Sequence, residues 1–89
     1  MTTRDVTIAN TLGMHARAAA RFVHVATAFQ SRITVSRDGR SVDGKSLLGL
    51  LLLAARCSTV ISIAADGPDE GEAAETLAQL VASGFGEAS

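Results

Sequence analysis

Hydrophobic and polar residues alternate along four short segments of the chain, and this period of two is typical of β-strands. The alternation predicts strands over residues 6–9, 32–37, 40–43 and 60–65. Asp38 and Gly39 separate the second and third segments. An Asp-Gly pair between two alternating runs is a strong signal for a β-hairpin, so these two strands are expected to pair antiparallel.

In the segments between and after the strands, apolar residues recur at the three- and four-residue spacing of an α-helix. The first predicted helix covers residues 18–29, and the second covers residues 47–55 behind Ser46, a natural N-cap. The third begins among acidic residues, which a helix N-terminus favours, and ends at Gly84. Residues 86–89 are expected to form a loose tail. The buried stripes are Ala19, Phe22, Val23 and Ala26 in the first helix, and Ala73, Leu77, Leu80 and Val81 in the third.

The predicted element order is β-α-β-β-α-β-α within one domain, residues 1–89. Four strands with interspersed helices favour an α+β fold, in which the helices cover one face of a mixed or antiparallel sheet. Periodicity alone leaves a ferredoxin-like sandwich as an equal candidate. Only three of the 89 residues are aromatic, all of them Phe, so the core is expected to be mainly aliphatic.

The second helix is apolar on nearly every side, and a two-layer domain of this size cannot bury all of it. We therefore expect Leu47, Leu48 and Leu51 to remain exposed, as the apolar part of an interface. The alternative is a helix that lies deeper in the core than the two layers suggest.

Charge is distributed unevenly along the chain. All eight basic residues lie within residues 1–56, which contain three acids, whereas the remaining six acids follow without a base. This asymmetry predicts a basic side that meets acidic partners, unless it is only an uneven sequence. A net charge of -1 and the scarcity of aromatic residues argue against nucleic-acid binding.

The single Cys57 allows no internal disulfide, which fits a reducing compartment. Residues 1–5 lack the apolar core of a signal peptide, and the longest apolar run is far shorter than the ~20 residues of a membrane span. We expect a soluble, cytoplasmic protein with no membrane contact. The scattered His15, His24 and Cys57 do not predict a metal site, and neither Ser46 nor Cys57 comes with the partners of a hydrolase triad.

Residues 10–17 join the first strand to the first helix and place His15 where that helix begins. The unpaired N–H groups and the positive dipole end of a helix bind anions, Gly13 permits a tight turn, and Arg17 suits phosphate oxygens. His15 is therefore a candidate acceptor of a phosphoryl group, the alternative being a polar helix cap. Arg21 and His24 follow at helical spacing and form either a solvated face or part of a docking surface.

Two motifs in this sequence resemble those of HPr, the family of histidine-containing phosphocarriers of the bacterial phosphoenolpyruvate-dependent phosphotransferase system. Gly13-Met14-His15-Ala16-Arg17 resembles the active-site signature of the family, and Lys45-Ser46-Leu47-Leu48-Gly49-Leu50 resembles its serine-site signature. Chain length and element order agree with the family over essentially the whole chain.

The resemblance implies an open-faced β-sandwich, with a four-stranded antiparallel sheet of order 1-4-2-3 and three helices on one face. It implies that His15 accepts phosphate on Nδ1 from enzyme I, that Arg17 steadies the phosphoryl group, and that an acidic IIA domain receives it. Ser46 would be the site of a regulatory serine kinase or phosphorylase, and Leu47, Leu48, Leu51, Arg21 and His24 would dock partners. No cofactor and no metal are implied, and we expect a monomer.

Ala18 departs from the family, which often has proline at this position. Alanine preserves the helix and adds one backbone N–H near the anion site, so the proposed chemistry is unaffected. Alanine here also occurs in carriers of the nitrogen-related branch, so the choice between sugar uptake and that branch stays open. A regulatory module that acts only through Ser46 and the leucines is the main rival, although such a module has no need of a nucleophilic histidine.

Overall fold

The computed structural model describes residues 1–87. It contains four strands and three helices, in the predicted order. The strands are β1 (Thr2–Thr7), β2 (Arg32–Arg37), β3 (Arg40–Asp43) and β4 (Val60–Asp66), and the helices are α1 (Ala16–Ala26), α2 (Leu47–Leu53) and α3 (Glu70–Ala82). A short 3-10 turn, Gly84–Gly86, follows α3. None of these helices has the length and apolar character required to cross a membrane.

The four strands form one antiparallel sheet in the order β1-β4-β2-β3. Val6 is opposite Ile61 in the pair of β1 and β4, and Val35 is opposite Ile63 in the pair of β2 and β4. The hairpin of β2 and β3 turns at Asp38 and Gly39, whose φ angles of 49° and 80° are those required by a two-residue hairpin loop. The expected strand order and hairpin are both confirmed.

One face of the sheet carries the core. Residues of β2 and β4 are buried at every second position, namely Ile33, Val35, Ile61, Ile63 and Ala65. The helices cover this face and contribute buried side chains that include Phe22, Leu50, Leu53, Leu77 and Val81. The period of two along the strands is therefore the direct result of covering one face only, which confirms the open-faced α+β architecture.

The first strand and the first helix differ in their bounds from the prediction. β1 begins at Thr2, because every residue from Thr2 to Thr7 pairs with β4, including a polar stretch that hides the alternation. α1 ends at Ala26 rather than at residue 29, because the N–H groups of Ala28 and Phe29 bond carbonyls only three residues back. These shorter bonds tighten the last turn and end the helix.

The prediction of a loose tail over residues 86–89 is wrong for residues 86 and 87, which the structure describes. Phe85 is fully buried in a left-handed conformation, with φ of 59°, and it anchors the 3-10 turn. Glu87 then follows with its carboxylate in contact with two residues near the start of α1. The remainder of that prediction, residues 88 and 89, lies outside the described residues.

Candidate functional site

The loop before α1 is clamped by a buried asparagine. Asn10 is 2% exposed, and its side-chain Nδ2 donates to the backbone carbonyl of Gly13 at 2.8 Å. The backbone carbonyl of Asn10 in turn accepts from the Gly13 N–H at 3.1 Å. Gly13 has φ of +66°, and a Cβ built there would lie 2.6 Å from the Ala55 carbonyl oxygen and 2.9 Å from Arg56 Cα. Only glycine therefore lets this loop lie against the connection between α2 and β4.

His15 is the N-cap residue of α1, with an extended backbone, and its carbonyl accepts the first helical bond, from the Ala19 N–H, at 2.8 Å. The preceding residue, Met14, is buried and donates its N–H to the Ala55 carbonyl at 2.9 Å, which fixes the position of the histidine. The imidazole makes no capping hydrogen bond to the helix. His15 therefore occupies the cap position, as the alternative interpretation expected, but its side chain does not cap the helix.

The imidazole of His15 contacts a carboxylate instead. Its Nε2 lies 2.6 Å from Oε2 of Glu87, whose Oε1 accepts from Asn10 Nδ2 at 2.8 Å. The side chains of His15 and Glu87 are 26% and 15% exposed, so the pair is partly shielded from water but reachable. The Asn10 N–H, and to a smaller extent His15 and the charge of Arg17, hold the pKa of Glu87 below its ordinary value against the opposing effect of desolvation.

An open depression lies beside the imidazole. Its volume is about 680 Å³, and it is lined by Leu12, His15, Ala16, Arg17, Arg21, Gly86 and Glu87. No carboxylate among residues 1–87 forms an ion pair with Arg17, whose guanidinium remains available to an anion. Arg21 has a structural contact, since its Nη1 donates to the Phe85 carbonyl and ties α1 to the 3-10 turn. The depression thus combines a histidine, two guanidinium groups and the start of a helix.

The leucines of α2 are divided between core and surface. Leu50 and Leu53 are buried, whereas Leu47, Leu48, Leu51 and Leu52 are 43%, 66%, 37% and 65% exposed. The expected exposure of Leu47, Leu48 and Leu51 is confirmed, and Leu52 is a further exposed leucine, beside β3, that the sequence did not indicate. Because α1 packs against α2, the leucines lie on a helix adjacent to the one that His15 begins.

Ser46 is the N-cap of α2, and its hydroxyl accepts from the Gly49 N–H at 3.0 Å. The predicted capping role of this residue is therefore confirmed. His24 is exposed near the end of α1, and Cys57 is exposed and free. No group of three metal-binding side chains occurs in the part of the chain that the structure describes.

The model of the family described as "PTS HPr component phosphorylation site" matches residues 2–83, which include the loop that leads to His15, Ser46 and the exposed leucines of α2. The chain belongs to the HPr family. Its role is accordingly that of a phosphocarrier protein of the phosphotransferase system, and its partners are other components of that system. HPr membership also accounts for the sheet order and the helical layer.

Named relatives are similar over nearly the whole chain. A phosphocarrier protein HPr of Cupriavidus necator is 47% identical over 87 residues, which is 98% of both chains. A solved structure of HPr from Thermoanaerobacter tengcongensis is 40% identical, with a TM-score of 0.94 over 98% of both chains. A solved HPr dimer from the same organism is also 40% identical, with a TM-score of 0.78 over 98% of this chain and 100% of that one.

Reasoning from the sequence missed two members of the site, Asn10 and Glu87. Glu87 is separated from His15 by 72 positions, and no local pattern links the two. One signal was present, since Phe85, one of only three aromatic residues, directly precedes the segment predicted to be a loose tail. An aromatic side chain in so small a domain is normally buried, and this would have predicted that the end of the chain packs against the core.

Proposed function

We propose that His15 is the phosphoryl acceptor of this carrier, that enzyme I is its donor and that a IIA domain is its recipient. The imidazole is partly exposed in the depression beside Arg17, so that a donor can reach it. Phosphoryl transfer depends mainly on the positioning of groups and on charge stabilisation, and the N-terminus of α1 and Arg17 supply positive charge for the incoming phosphoryl oxygens. The position of His15 at the start of α1, beside Arg17, is the observation that carries this proposal.

The test compares the two histidines of the chain. His15→Ala and His24→Ala proteins are incubated with phosphoenolpyruvate and enzyme I, and acid-labile phosphate is measured. His15→Ala should accept none and His24→Ala should accept as much as the unmodified protein, with circular dichroism as the control for folding. Full labelling of His15→Ala would exclude His15 as the acceptor.

Partner docking is proposed for Leu47, Leu48 and Leu51, with Arg21 and His24 as polar neighbours. The exposed leucines on α2 supply apolar area, and the arginines on the adjacent helix α1 supply charge. Leu47→Glu and Leu51→Glu should weaken binding to enzyme I, measured by calorimetry, with unfolding free energies close to that of the parent.

The matched control for docking is Leu52→Glu. Leu52 is as exposed as Leu48 but lies over the edge strand β3, where Arg40, Ser41 and Val42 border the same groove. This variant should bind enzyme I normally. Equal weakening by Leu51→Glu and Leu52→Glu would argue against the docking surface as defined here.

Ser46 is proposed as a site of regulation by a serine kinase or phosphorylase. A phosphate on its hydroxyl would add a charge of about -2 beside Leu47 and Leu48. An acidic partner would then be repelled, and salt should reduce the effect because charges at an exposed surface are screened over about 8 Å near physiological ionic strength. Ser46→Asp should slow labelling of His15 less at high salt than at low salt, and Ser46→Ala should be labelled normally. Equal rates for all three proteins would leave Ser46 as a helix cap alone.

The carrier is further proposed to act in the cytoplasm, as one domain and as a monomer, although one of its structural relatives is a dimer. Sedimentation over a hundredfold range of concentration, including that used for transfer, would detect a dimer. The carrier serves either sugar uptake or the nitrogen-related branch of the phosphotransferase system. A transfer assay that shows which IIA domain accepts phosphate from it would distinguish the two.

A further inference from the structure

Three side chains form a continuous hydrogen-bonded row at the site, two from the loop before α1 and one from the segment after α3. Asn10 Nδ2 bonds Glu87 Oε1 at 2.8 Å, and Glu87 Oε2 lies 2.6 Å from His15 Nε2. Two members of the row are held in place by other contacts: Asn10 is buried against the Gly13 carbonyl, and Glu87 directly follows the turn that the buried Phe85 anchors. The amide orientation of Asn10 follows from its surroundings, since the reverse would place Oδ1 against two oxygen acceptors.

The contact determines which nitrogen of His15 carries the proton. A carboxylate accepts hydrogen bonds and donates none, and the lowered pKa of Glu87 keeps this group ionised at neutral pH. A contact of 2.6 Å therefore requires a hydrogen on Nε2. In the neutral imidazole the other nitrogen, Nδ1, then holds the free lone pair.

We propose that Glu87 is a positioning residue for phosphoryl transfer, one that holds His15 in the tautomer with hydrogen on Nε2 and so presents Nδ1 as the nucleophile. This inference rests on the proposed function of His15 as acceptor. It adds the reason why one ring nitrogen reacts, and it gives the segment after α3 a role in the chemistry.

The transfer step balances without an additional reactant. The lone pair of Nδ1 attacks the phosphorus of a donor phosphohistidine whose ring carries a proton on its second nitrogen. The donor N–P bond breaks, and its electron pair returns to the donor ring, which becomes neutral imidazole. A new N–P bond forms at Nδ1, and the His15 ring, still protonated at Nε2, becomes positive. Glu87 faces this new charge directly, so the carboxylate stabilises the phosphorylated ring as well as the reactive tautomer.

Two substitutions of Glu87 separate orientation from charge. Glu87→Ala removes the acceptor, so the tautomer ratio of His15 should become similar to that of the exposed His24. Glu87→Gln can keep the bond from Asn10 through its carbonyl and then turns its NH₂ toward Nε2, which favours hydrogen on Nδ1. Glu72→Gln is the matched control, because Glu72 is an exposed acid on α3.

The experiment has three readouts on the full chain. Long-range ¹H–¹⁵N NMR reports the tautomer of His15 directly, with His24 as internal reference. Chemical phosphorylation by phosphoramidate, which needs no protein partner, reports how phosphate divides between Nδ1 and Nε2. The third is the rate of labelling by enzyme I, which should fall about tenfold in Glu87→Ala and about a hundredfold in Glu87→Gln, the range typical when a group that orients a metal-bound histidine is mutated.

The proposal is supported if unmodified protein and Glu72→Gln show hydrogen on Nε2 and phosphate on Nδ1, while Glu87→Ala gains phosphate on Nε2. It is overturned if the tautomer ratio of His15 equals that of His24 in the unmodified protein, or if Glu87→Ala changes neither the ratio nor the site of phosphorylation. Failure of the proposed function itself would be distinct: His15 would remain unlabelled by enzyme I in the unmodified protein, whatever its tautomer.

Discussion

Replacing Gly13 by alanine tests whether the loop before α1, residues 10–15, depends on close contact between backbones. Two costs are expected. An L-residue in the left-handed region is strained by about 1–2 kcal/mol, and φ at Gly13 is +66°. The new Cβ would also lie 2.6 Å from the Ala55 carbonyl oxygen, which is too close for any real contact. Overpacking of this kind typically costs about 1–3 kcal/mol.

Together these terms predict that Gly13→Ala lowers the free energy of unfolding by about 3 kcal/mol. For a domain of this size such a loss lowers the Tm by about 12–24 °C. Urea unfolding followed by circular dichroism gives the free energy directly. His15 should also be labelled more slowly by enzyme I, because relief of the clash moves the loop that leads into α1.

Gly39→Ala is the matched control. Gly39 also has a positive φ, +80°, but no atom lies within 4 Å of a Cβ built there. This variant should lose only the strain term, about 1–2 kcal/mol, and should be labelled at the parental rate. If the two variants lose the same free energy within about 0.5 kcal/mol, the contact of Gly13 with Ala55 contributes nothing and the reasoning is refuted.

Three further predictions concern stability. Leu50→Ala should lower the free energy of unfolding by about 2–5 kcal/mol because Leu50 is fully buried, whereas Leu48→Ala should change it by at most about 0.5 kcal/mol. Similar losses of the two variants in urea unfolding would contradict the division of α2 into core and surface faces. Ser46→Ala should lose about 1 kcal/mol of capping energy and Ser46→Asp should retain most of it, so equal losses would disprove the cap. The Ser31 hydroxyl and then the Gln30 N–H lower the pKa of Asp69, so its contribution to stability should be complete above the ordinary value of 3.8 and be lost as pH falls through the lower folded-state pKa. Asp69→Asn should flatten this acid-side slope, and an unchanged slope would argue against the contact.

Much of this fold could be predicted because it depends on interactions between residues that are close in the sequence. The Asp38-Gly39 turn, the strand alternation of β2 and β4, and the Ser46 cap each depend on neighbouring residues, so the order and type of the elements could be read from the sequence. The strand order 1-4-2-3 came from the resemblance to HPr, since periodicity alone also allowed a ferredoxin-like sheet. The starts of elements were less accessible, as at β1, where pairing with β4 extends a strand through residues that do not alternate.

The residues of the site also divide into some that the sequence indicated and some that only the folded structure brings together. His15 and Arg17 were identified because both lie in one short motif at a helix start, where the chemistry is local. Asn10 and Glu87 were not, because their roles exist only after the chain folds. Burial of Phe85 brings Glu87 to an imidazole 72 residues away, and the Asn10 amide fixes the carboxylate in place. The sequence by itself indicated the residue that we propose as the phosphoryl acceptor, whereas tertiary packing alone brings a carboxylate to Nε2 of that residue, because this contact joins segments that are distant along the chain.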